Sequence, residues 1–508
     1  MTSTRVGWRP AGPPPARPGP GRRRRRARVG LAAVLVAGLV AVSWAVSPLA
    51  GAAALAAAAV WVLAATTTCD ATTLVSGYLG LLVLVPARYI FGPLGSMGTP
   101  AVLVGLVALA WWAIGRFAPA LAPTATGFQP IRTVVVLFAW VTVLTYGYGF
   151  ARPLEELEVR SADRALIALV SLCGVALLVT DGVPRRERLE VLLHRLVGVA
   201  VVLACFGIVQ FSTGLDPAGL LKLPGLQQAR ELRSIQEGGA VRRVAGTALH
   251  PIEFGVVLAM ALPVALHFAF HAPRARRGRQ WAAALTIAVA LPMSVSRSAL
   301  VAVAAVFVVL VPSWSWRRRS NVAAAVVLLL GAMQVAIPGL LGTLKSLVLN
   351  AGSDPSVQGR TDDYGPVLDL WRETPWLGRG FGTFLPERYR FLDNQYLGTL
   401  IDSGVVGVVA LALLLLVALG VARGAERRAA DAVTRSLARS LQAASAVAMA
   451  TFFTFDALSF PMNAGVLFVI FGCSGVLWRL VREGEPGPAP VSLGLSGGAG
   501  RARGRGRS

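Results

Sequence analysis

The feature that most constrains this chain is a succession of apolar runs, most of them long enough to cross a lipid bilayer. Of its 508 residues, 55% are hydrophobic and only 15% are charged, whereas about a quarter of the residues in a soluble domain are charged. A helix of about 20 apolar residues spans the hydrocarbon core of a membrane. The chain is therefore predicted to be an all-α, polytopic bundle of transmembrane helices.

Hydropathy predicts about 14 spans, or 12 to 13 if the closely spaced and short runs do not all cross. The runs are Val29–Val46, Leu49–Thr66, Leu74–Phe91, Pro100–Ile114, Thr133–Phe150, Ala165–Thr180, Leu196–Ser212, Thr247–Phe270, Gln280–Pro292, Ser298–Pro312, Asn321–Leu341, Tyr396–Val421, Leu437–Phe455 and Pro461–Leu480. The first run follows an arginine-rich segment, as the apolar part of a signal peptide does. A second run follows it at once, which favours an uncleaved span.

The net charge of +24 is explained by topology better than by nucleic-acid binding. Basic residues collect in cytoplasmic loops because they resist translocation. Alternating the spans from a cytoplasmic N-terminus gives three long outer loops, 151–164, 213–246 and 342–395, which hold 14 basic and 14 acidic residues in total. The basic surplus falls on the inner side. Both termini are predicted to be cytoplasmic, and nucleic acid is not a predicted partner.

These boundaries divide the chain into a transmembrane domain, 29–481, between two disordered basic tails, 1–28 and 482–508. Heavy use of Arg, Ala, Gly and Val indicates a GC-rich bacterial genome. We therefore predict a multi-pass protein of the bacterial cytoplasmic (inner) membrane, with membrane lipids as partners.

The longest polar interruption is the outer loop 342–395, between the spans ending near Leu341 and starting near Tyr396. Its many aromatic residues argue against disorder, and a long ordered loop is usually functional. Within it, Tyr364–Arg372 is predicted to be an amphipathic helix whose Val367, Leu368 and Trp371 rest on the membrane surface. The loop is predicted to cap an active site.

Polar residues gather where the predicted spans meet the outer side. His250 and Glu253 lie just inside a span, where charged groups are costly and often functional, although His250 could also act as a helix cap. Arg297 occupies a short outer turn, where snorkelling towards lipid phosphate is the structural alternative. For most charges of the long loop the alternative is a solvated surface. Arginines that converge on one membrane face suit an anionic substrate, and a lipid-linked diphosphate fits such a site.

Other chemistries have no sequence support. Neither a P-loop nor a dinucleotide-binding fingerprint occurs. The four cysteines, Cys69, Cys173, Cys205 and Cys473, lie in or beside apolar runs without the spacing of a disulfide framework or a metal site. No cofactor and no metal are predicted.

Three motifs occur in a fixed order on the outer side. They are RVAGTALHPIEFG (243–255), SRSAL (296–300), and a loop signature with GR at 359–360, PWLGRGFGTF at 375–384, DNQYL at 393–397 and GVVG at 404–407. This set resembles the family of O-antigen ligase and polymerase-like membrane glycosyltransferases. The motifs cover about residues 243–300 and 359–407, while span count and loop position agree over most of the chain.

The resemblance implies an inverting, metal-independent transfer of glycan from a polyprenyl-diphosphate donor to a saccharide or cell-envelope acceptor on the extracytoplasmic face. It assigns diphosphate binding to Arg297 and Arg360, followed by Arg243 and Arg379. Many members have a histidine where this chain has Asp393, and the long loop contains no histidine. A carboxylate near an acceptor hydroxyl can act as general base, so Asp393 is the first candidate, with Glu253 and His250 as alternatives.

Two other functions have weaker sequence support. A transporter or flippase of lipid-linked oligosaccharide would predict internal repeats and charges near the bilayer midplane, but no repeat is evident and most charges lie at the outer interface. A structural membrane scaffold leaves the outer arginines unexplained.

Overall fold

The computed structural model describes residues 70–86, 89–90, 98–117, 125, 127–216, 227–228, 235–236, 242–337, 339–349, 362–386, 388–389 and 391–484. Within these ranges the chain forms fourteen α-helices and four two-residue strands. The helices are α1 Ala71–Leu84, α2 Pro100–Phe117, α3 Pro130–Gly149, α4 Glu156–Gly182, α5 Arg186–Thr213, α6 Pro251–His271, α7 Arg274–Ala290, α8 Arg297–Leu310, α9 Trp316–Ala336, α10 Leu340–Leu349, α11 Tyr364–Glu373, α12 Gln395–Arg428, α13 Ala432–Thr451 and α14 Pro461–Glu483. The strands are β1 Tyr89–Ile90, β2 Gln227–Gln228, β3 Ile235–Gln236 and β4 Arg243–Val244; β1 pairs with β2 and β3 with β4, both antiparallel.

The predicted all-α polytopic architecture is confirmed. Eight described helices are long and apolar enough to cross a membrane, namely α2 to α6, α9, α12 and α14. Each of the twelve predicted runs from Leu74 onward coincides with a helix. The predicted runs Val29–Val46 and Leu49–Thr66, the tail 1–28 and residues 485–508 lie outside the described residues. Some predicted runs extend beyond their helices: α9 ends at Ala336, and α1 ends at Leu84, because Pro86 follows and cannot continue a helix.

Local chemistry explains where the helices begin. The side chains of Asp70, His250, Ser315, Asn394 and Asp431 each accept a backbone N–H of the helix that they precede, which satisfies a donor that has no partner inside the helix. Helices α3, α6 and α14 each start at a proline, whose fixed φ angle suits the first helical position.

Helices α6 and α14 form the centre of the bundle. In each, 89% of the apolar window is buried, whereas in α9 only 6% is, so α9 lies at the periphery. Both central helices begin at the end of the bundle where α3 and α5 finish and α4, α8 and α12 start. We call this the loop end. The opposite end, where α4, α6 and α14 finish, is called the basic end, because Arg274–Arg279, Arg317–Arg319 and Arg423–Arg439 lie there.

Candidate functional site

Two arginines from separate segments approach one another at the loop end. Arg243 lies on strand β4, which is held against β3 by pairing with Gln236, and Arg297 is the first residue of α8. Burial and the nearby positive charge of Arg297 both lower the pKa of Arg243. The Nε atom of Arg243 is buried and has no hydrogen-bond partner among the described residues. A buried cation beside another cation is costly unless an anion compensates it, so this pair has the electrostatics of an anion-binding site.

A strained turn presents Arg297 at this position. Val295, just before α8, adopts a left-handed backbone with φ of 43°, which is unfavourable for a β-branched residue. Strain of this kind persists only where the surrounding structure enforces it, and it concentrates at functional sites. The enforcing contact is with α6: a Cβ added to Gly255 would lie 2.5 Å from the Cβ of Ala299 and 2.8 Å from the Oγ of Ser294. Close packing at Gly255 therefore brings the start of α6 beside the turn that carries Arg297.

His250 joins the arginine pair from the start of α6. Its Nδ1 accepts the backbone N–H of Ile252 at 3.2 Å, as an N-cap does. Burial, and then the charge of Arg243, lower the pKa of His250 to about 4, so the ring is neutral at pH 7. A neutral ring that accepts through Nδ1 carries its proton on Nε2. His250 is therefore both the predicted cap and a potential hydrogen-bond donor to a bound anion, and this arrangement suits a donor better than a base.

Glu253 lies between the N-terminal ends of the two central helices. Its side chain is fully buried; one oxygen accepts the N–H groups of Met462 and Asn463 at 2.7 and 3.1 Å, and the other accepts that of Leu249 at 2.8 Å. A carboxylate at a helix N-terminus satisfies orphan donors and complements the helix dipole. With its oxygens committed to backbone donors, Glu253 is positioned as a structural clamp rather than as the alternative base.

We expect Glu253→Gln to lower thermal stability while leaving turnover of the folded enzyme within a few-fold of wild type. The amide keeps one acceptor but turns an NH2 group towards the N–H of Leu249, which costs about 1–3 kcal/mol. A thermal-unfolding series in detergent, with the exposed Glu156→Gln on α4 as control, measures this. If Glu253→Gln has unchanged stability but a hundredfold lower turnover, Glu253 takes part in catalysis instead.

The glycine-rich segment 375–384, here called the glycine loop, packs against the corner between α3 and α4 and against α12. Gly378, Gly380 and Gly382 all have positive φ. A Cβ at Gly380 would lie 2.4 Å from the Cα of Gly149, and one at Gly378 2.5 Å from the backbone of Asp402. The signature glycines thus allow backbone-to-backbone contact at these two positions.

Helix α12 has a break that allows it to hydrogen-bond to the glycine loop. Gly404 interrupts the helix with φ of 61° and ψ of −163°, a conformation that is essentially restricted to glycine. The carbonyl groups of Ile401 and Asp402 are thereby free to accept the N–H groups of Arg379 and Gly380, at 2.8 and 3.0 Å. The Asp402 carboxylate accepts those of Gly382 and Phe384 at 3.1 and 3.2 Å. Asp402 is therefore committed to positioning the loop.

We expect Gly404→Ala to destabilise the protein by at least about 1–3 kcal/mol and to detach the glycine loop. A Cβ at this position would lie 2.3 Å from the carbonyl oxygen of Trp376, whereas one at Gly398 on the same helix meets nothing within 4 Å. Gly398→Ala is the matched control. Limited proteolysis and thermal unfolding should separate the two variants, and equal behaviour would contradict this account.

Arg379 is held within the glycine loop, among acidic and aromatic neighbours. Its guanidinium donates to the Oη of Tyr389 at 3.0 Å and approaches Glu373 at 3.5 Å, and it lies 5.2 Å from the centre of the Tyr389 ring. Its backbone carbonyl accepts from Arg152, which also binds Glu158 and Thr383. Arg152 therefore positions the glycine loop. The sequence around Arg152 is that of an ordinary loop and does not predict this role.

Asp393 lies beside a second carboxylate that the sequence reasoning missed. Asp456 belongs to the short connection between α13 and α14, and burial, together with the charge of Asp393, raises its pKa to about 6. Asp393 itself is exposed. Asn394 caps α12, and Gln395 binds Phe452 and Leu458 at 2.8 and 2.7 Å, which fixes the two segments together. The sequence did carry a signal for Asp456, because it is a charged residue in a short turn between two apolar runs. The same kind of signal identified Arg297.

The connection 452–460 links the carboxylate pair to the cationic group. Asp456 stands near its middle, and the ring of Phe460 at its end lies 6.2 Å from that of His250. The structure thus brings Arg243, His250 and Arg297 together. The connection 452–460 leads from this group to the pair Asp393 and Asp456. Arg360 lies outside the described residues. Over the described ranges, no group of three or more His, Cys, Asp or Glu side chains could hold a metal ion; metal independence stays a prediction.

The predicted amphipathic helix is present as α11, but one of its contacts was wrong. Val367 is buried against Leu392 and Ile401 rather than resting on a membrane surface, because the glycine loop folds α11 back towards α12. Leu368 is exposed, and Trp371 donates to the carbonyl of Pro375 at 3.0 Å.

Comparison with known families supports the resemblance. Residues 282–412 match a family model described as O-antigen ligase, which is about a quarter of the chain. The matched region runs from within α7 to the middle of α12 and includes Arg297, Arg379 and Asp393. A comparison with curated proteins finds no match.

Proposed function

Since the chain carries an O-antigen ligase-like region within a polytopic membrane bundle, we propose that it is a glycosyltransferase of lipid-linked glycans. It transfers or polymerises glycan from a polyprenyl-diphosphate donor, with a saccharide or another cell-envelope component as acceptor. The reaction serves the assembly of cell-surface polysaccharide.

The observation that carries this proposal is the approach of Arg243 and Arg297, with the Nε2–H of His250 beside them. Burial and the charge of Arg297 disfavour the charged form of Arg243, and the negative charge of a diphosphate would stabilise it. Guanidinium groups bind phosphate oxygens in a bidentate manner. Its place at the helix ends, beside α8, whose apolar surface is partly exposed, lets a polyprenyl tail remain in lipid while the diphosphate lies at the interface.

The charge distribution supports an extracytoplasmic site. The long arginine-rich segments of the described chain lie at the basic end, and such segments stay in the cytoplasm. The loop end, with the arginine pair and the carboxylate pair, is then outside. Because nucleotide sugars are absent there, the donor brings its own activated leaving group.

The chemistry follows from the two groups of side chains. Asp393 takes the proton of an acceptor hydroxyl. The oxygen of that hydroxyl forms the new bond to the anomeric carbon of the donor. The bond from that carbon to the diphosphate oxygen breaks, and its electron pair stays on the diphosphate. Arg243 and Arg297 stabilise the charge that develops on this leaving group. Asp456, beside Asp393, tunes the protonation of the pair.

A transfer assay with purified protein in liposomes tests the proposal. The probe is a polyprenyl-diphosphate oligosaccharide supplied with an acceptor glycan, and the readouts are released polyprenyl diphosphate and product length. Release that depends on Arg297 supports the transferase, and product length separates ligation from polymerisation. Movement of intact donor across the bilayer without release would support the flippase alternative instead.

A further inference from the structure

A second polar cavity lies at the basic end, away from the arginine pair. Its volume is about 220 Å³, and it is lined by the segment before α3, the end of α4 and the last turns of α14. The residues that matter here are Gln129, Arg132, Asp181, Trp478, Arg479 and Arg482. Sites for drug-sized ligands occupy roughly 300–1,000 Å³, so this space suits a single small polar group.

Part of the charge in this cavity is already neutralised. Asp181, whose side chain is 0% exposed, accepts from Arg132 at 3.0 and 3.1 Å and from the indole N–H of Trp112 at 2.9 Å. This arrangement ties α2, α3 and α4 together and commits both oxygens of the carboxylate. Arg132 and Asp181 are therefore a closed pair that shapes the wall.

Arg479 lines the same cavity with an unused donor. The residue is 9% exposed; one terminal nitrogen donates to the carbonyl of Val183, and the other lies 3.5 Å from Glu483. Its Nε is buried without a hydrogen-bond partner among the described residues, and so is the Oε1 of Gln129. A buried donor left unpaired costs about 1–3 kcal/mol, which a bound acceptor recovers.

Arg482 adds a positive charge at the rim. Its guanidinium is exposed and lies 5.2 Å from the centre of the Trp478 ring. With Arg132 neutralised by Asp181 and Arg479 facing Glu483, the lining keeps one surplus positive charge. Trp478 and the exposed Phe128 resemble the aromatic residues that sit at a membrane–water interface.

We propose that this cavity binds a phosphate anion through Arg479 and Arg482, with Gln129 accepting a hydroxyl that the same ligand carries. The source is either the headgroup of an anionic phospholipid or free phosphate, since both present the same oxygens. A headgroup with a hydroxyl, such as that of phosphatidylglycerol, satisfies both the buried donor and the buried acceptor. This site is separate from glycan transfer and does not rest on it.

Titration calorimetry on the full-length protein in neutral detergent tests the site. The probes are dihexanoyl phosphatidylglycerol, dihexanoyl phosphatidylcholine and inorganic phosphate. We expect Arg482→Gln to weaken phosphatidylglycerol binding roughly five- to tenfold, as loss of one interfacial arginine does, and Glu483→Gln to strengthen it because an opposing charge is removed. Arg427→Gln, an exposed arginine at the end of α12, is the matched control and should bind as wild type.

The probes separate the two sources. Preference for phosphatidylglycerol with no binding of inorganic phosphate identifies a lipid headgroup, whereas inorganic phosphate binding with the same dependence on Arg482 and Glu483 identifies free phosphate. The proposal is overturned if no probe binds, or if the three variants change affinity alike. Because Arg482, Glu483 and Arg427 are exposed, folding of the variants is checked by unchanged thermal unfolding.

Discussion

Arg243→Gln and Arg297→Gln are each expected to lower glycan transfer by about two to three orders of magnitude, which is the usual effect of removing one preorganised donor from a developing oxyanion. The leaving diphosphate gains charge as the glycosidic bond breaks, and glutamine offers hydrogen bonds without charge. The release of polyprenyl diphosphate at saturating donor measures this loss. The double variant should lose less than the product of the two single losses, because the arginines act on the same anion.

A conservative variant and a matched control separate the effect of charge from that of hydrogen-bond geometry. Arg297→Lys keeps the charge but loses the bidentate geometry, so it should recover only part of the rate. Arg160→Gln removes an exposed arginine at the same end, paired with Glu156 on the surface of α4, and should transfer glycan as wild type. Membrane insertion and thermal unfolding should be alike in all variants. Full activity of both Arg243→Gln and Arg297→Gln would remove the diphosphate site.

The helices could be predicted from the sequence because their signals are local. An apolar run of bilayer length, an N-cap such as Asn394 and a proline at the first helical position such as Pro461 all act within one or two turns. The proximity of Arg243 and Arg297 was expected only from chemistry. One contact that contributes to it is the packing of Gly255 against Ala299, and a single glycine in an apolar run does not indicate which residue it will pack against.

The glycine loop shows the opposite case. Its sequence motif is prominent and predicts part of a site, yet Gly378 and Gly380 serve backbone packing against Asp402 and Gly149. Positive φ is a property of the fold and is invisible in composition. Asp456 was missed for a related reason: it stands 63 residues after Asp393, and tertiary contacts such as the hydrogen bonds of Gln395 bring the two segments together.

Asp393→Asn is expected to lower the transfer rate by about two to four orders of magnitude at every pH, because the general base is lost. Wild-type transfer should fall several-fold below about pH 6, where Asp456, with its raised pKa, takes up a proton and the base loses the negative charge beside it. An ionised Asp456 favours transfer of a proton to its neighbour by charge attraction, so the rate rises as pH increases through this range.

Asp456→Asn separates tuning from catalysis. If Asp456 only tunes the base, this variant transfers glycan at pH 7.5 at about the rate that wild type shows below pH 6, and its pH limb near 6 disappears, because asparagine mimics the protonated carboxyl group. Asp369→Asn, an exposed carboxylate on α11, should leave both rate and pH profile unchanged. Wild-type turnover in Asp393→Asn together with a large loss in Asp456→Asn would transfer the role of base to Asp456. An unaltered pH limb in Asp456→Asn would mean that the carboxylate pair does not control the reaction.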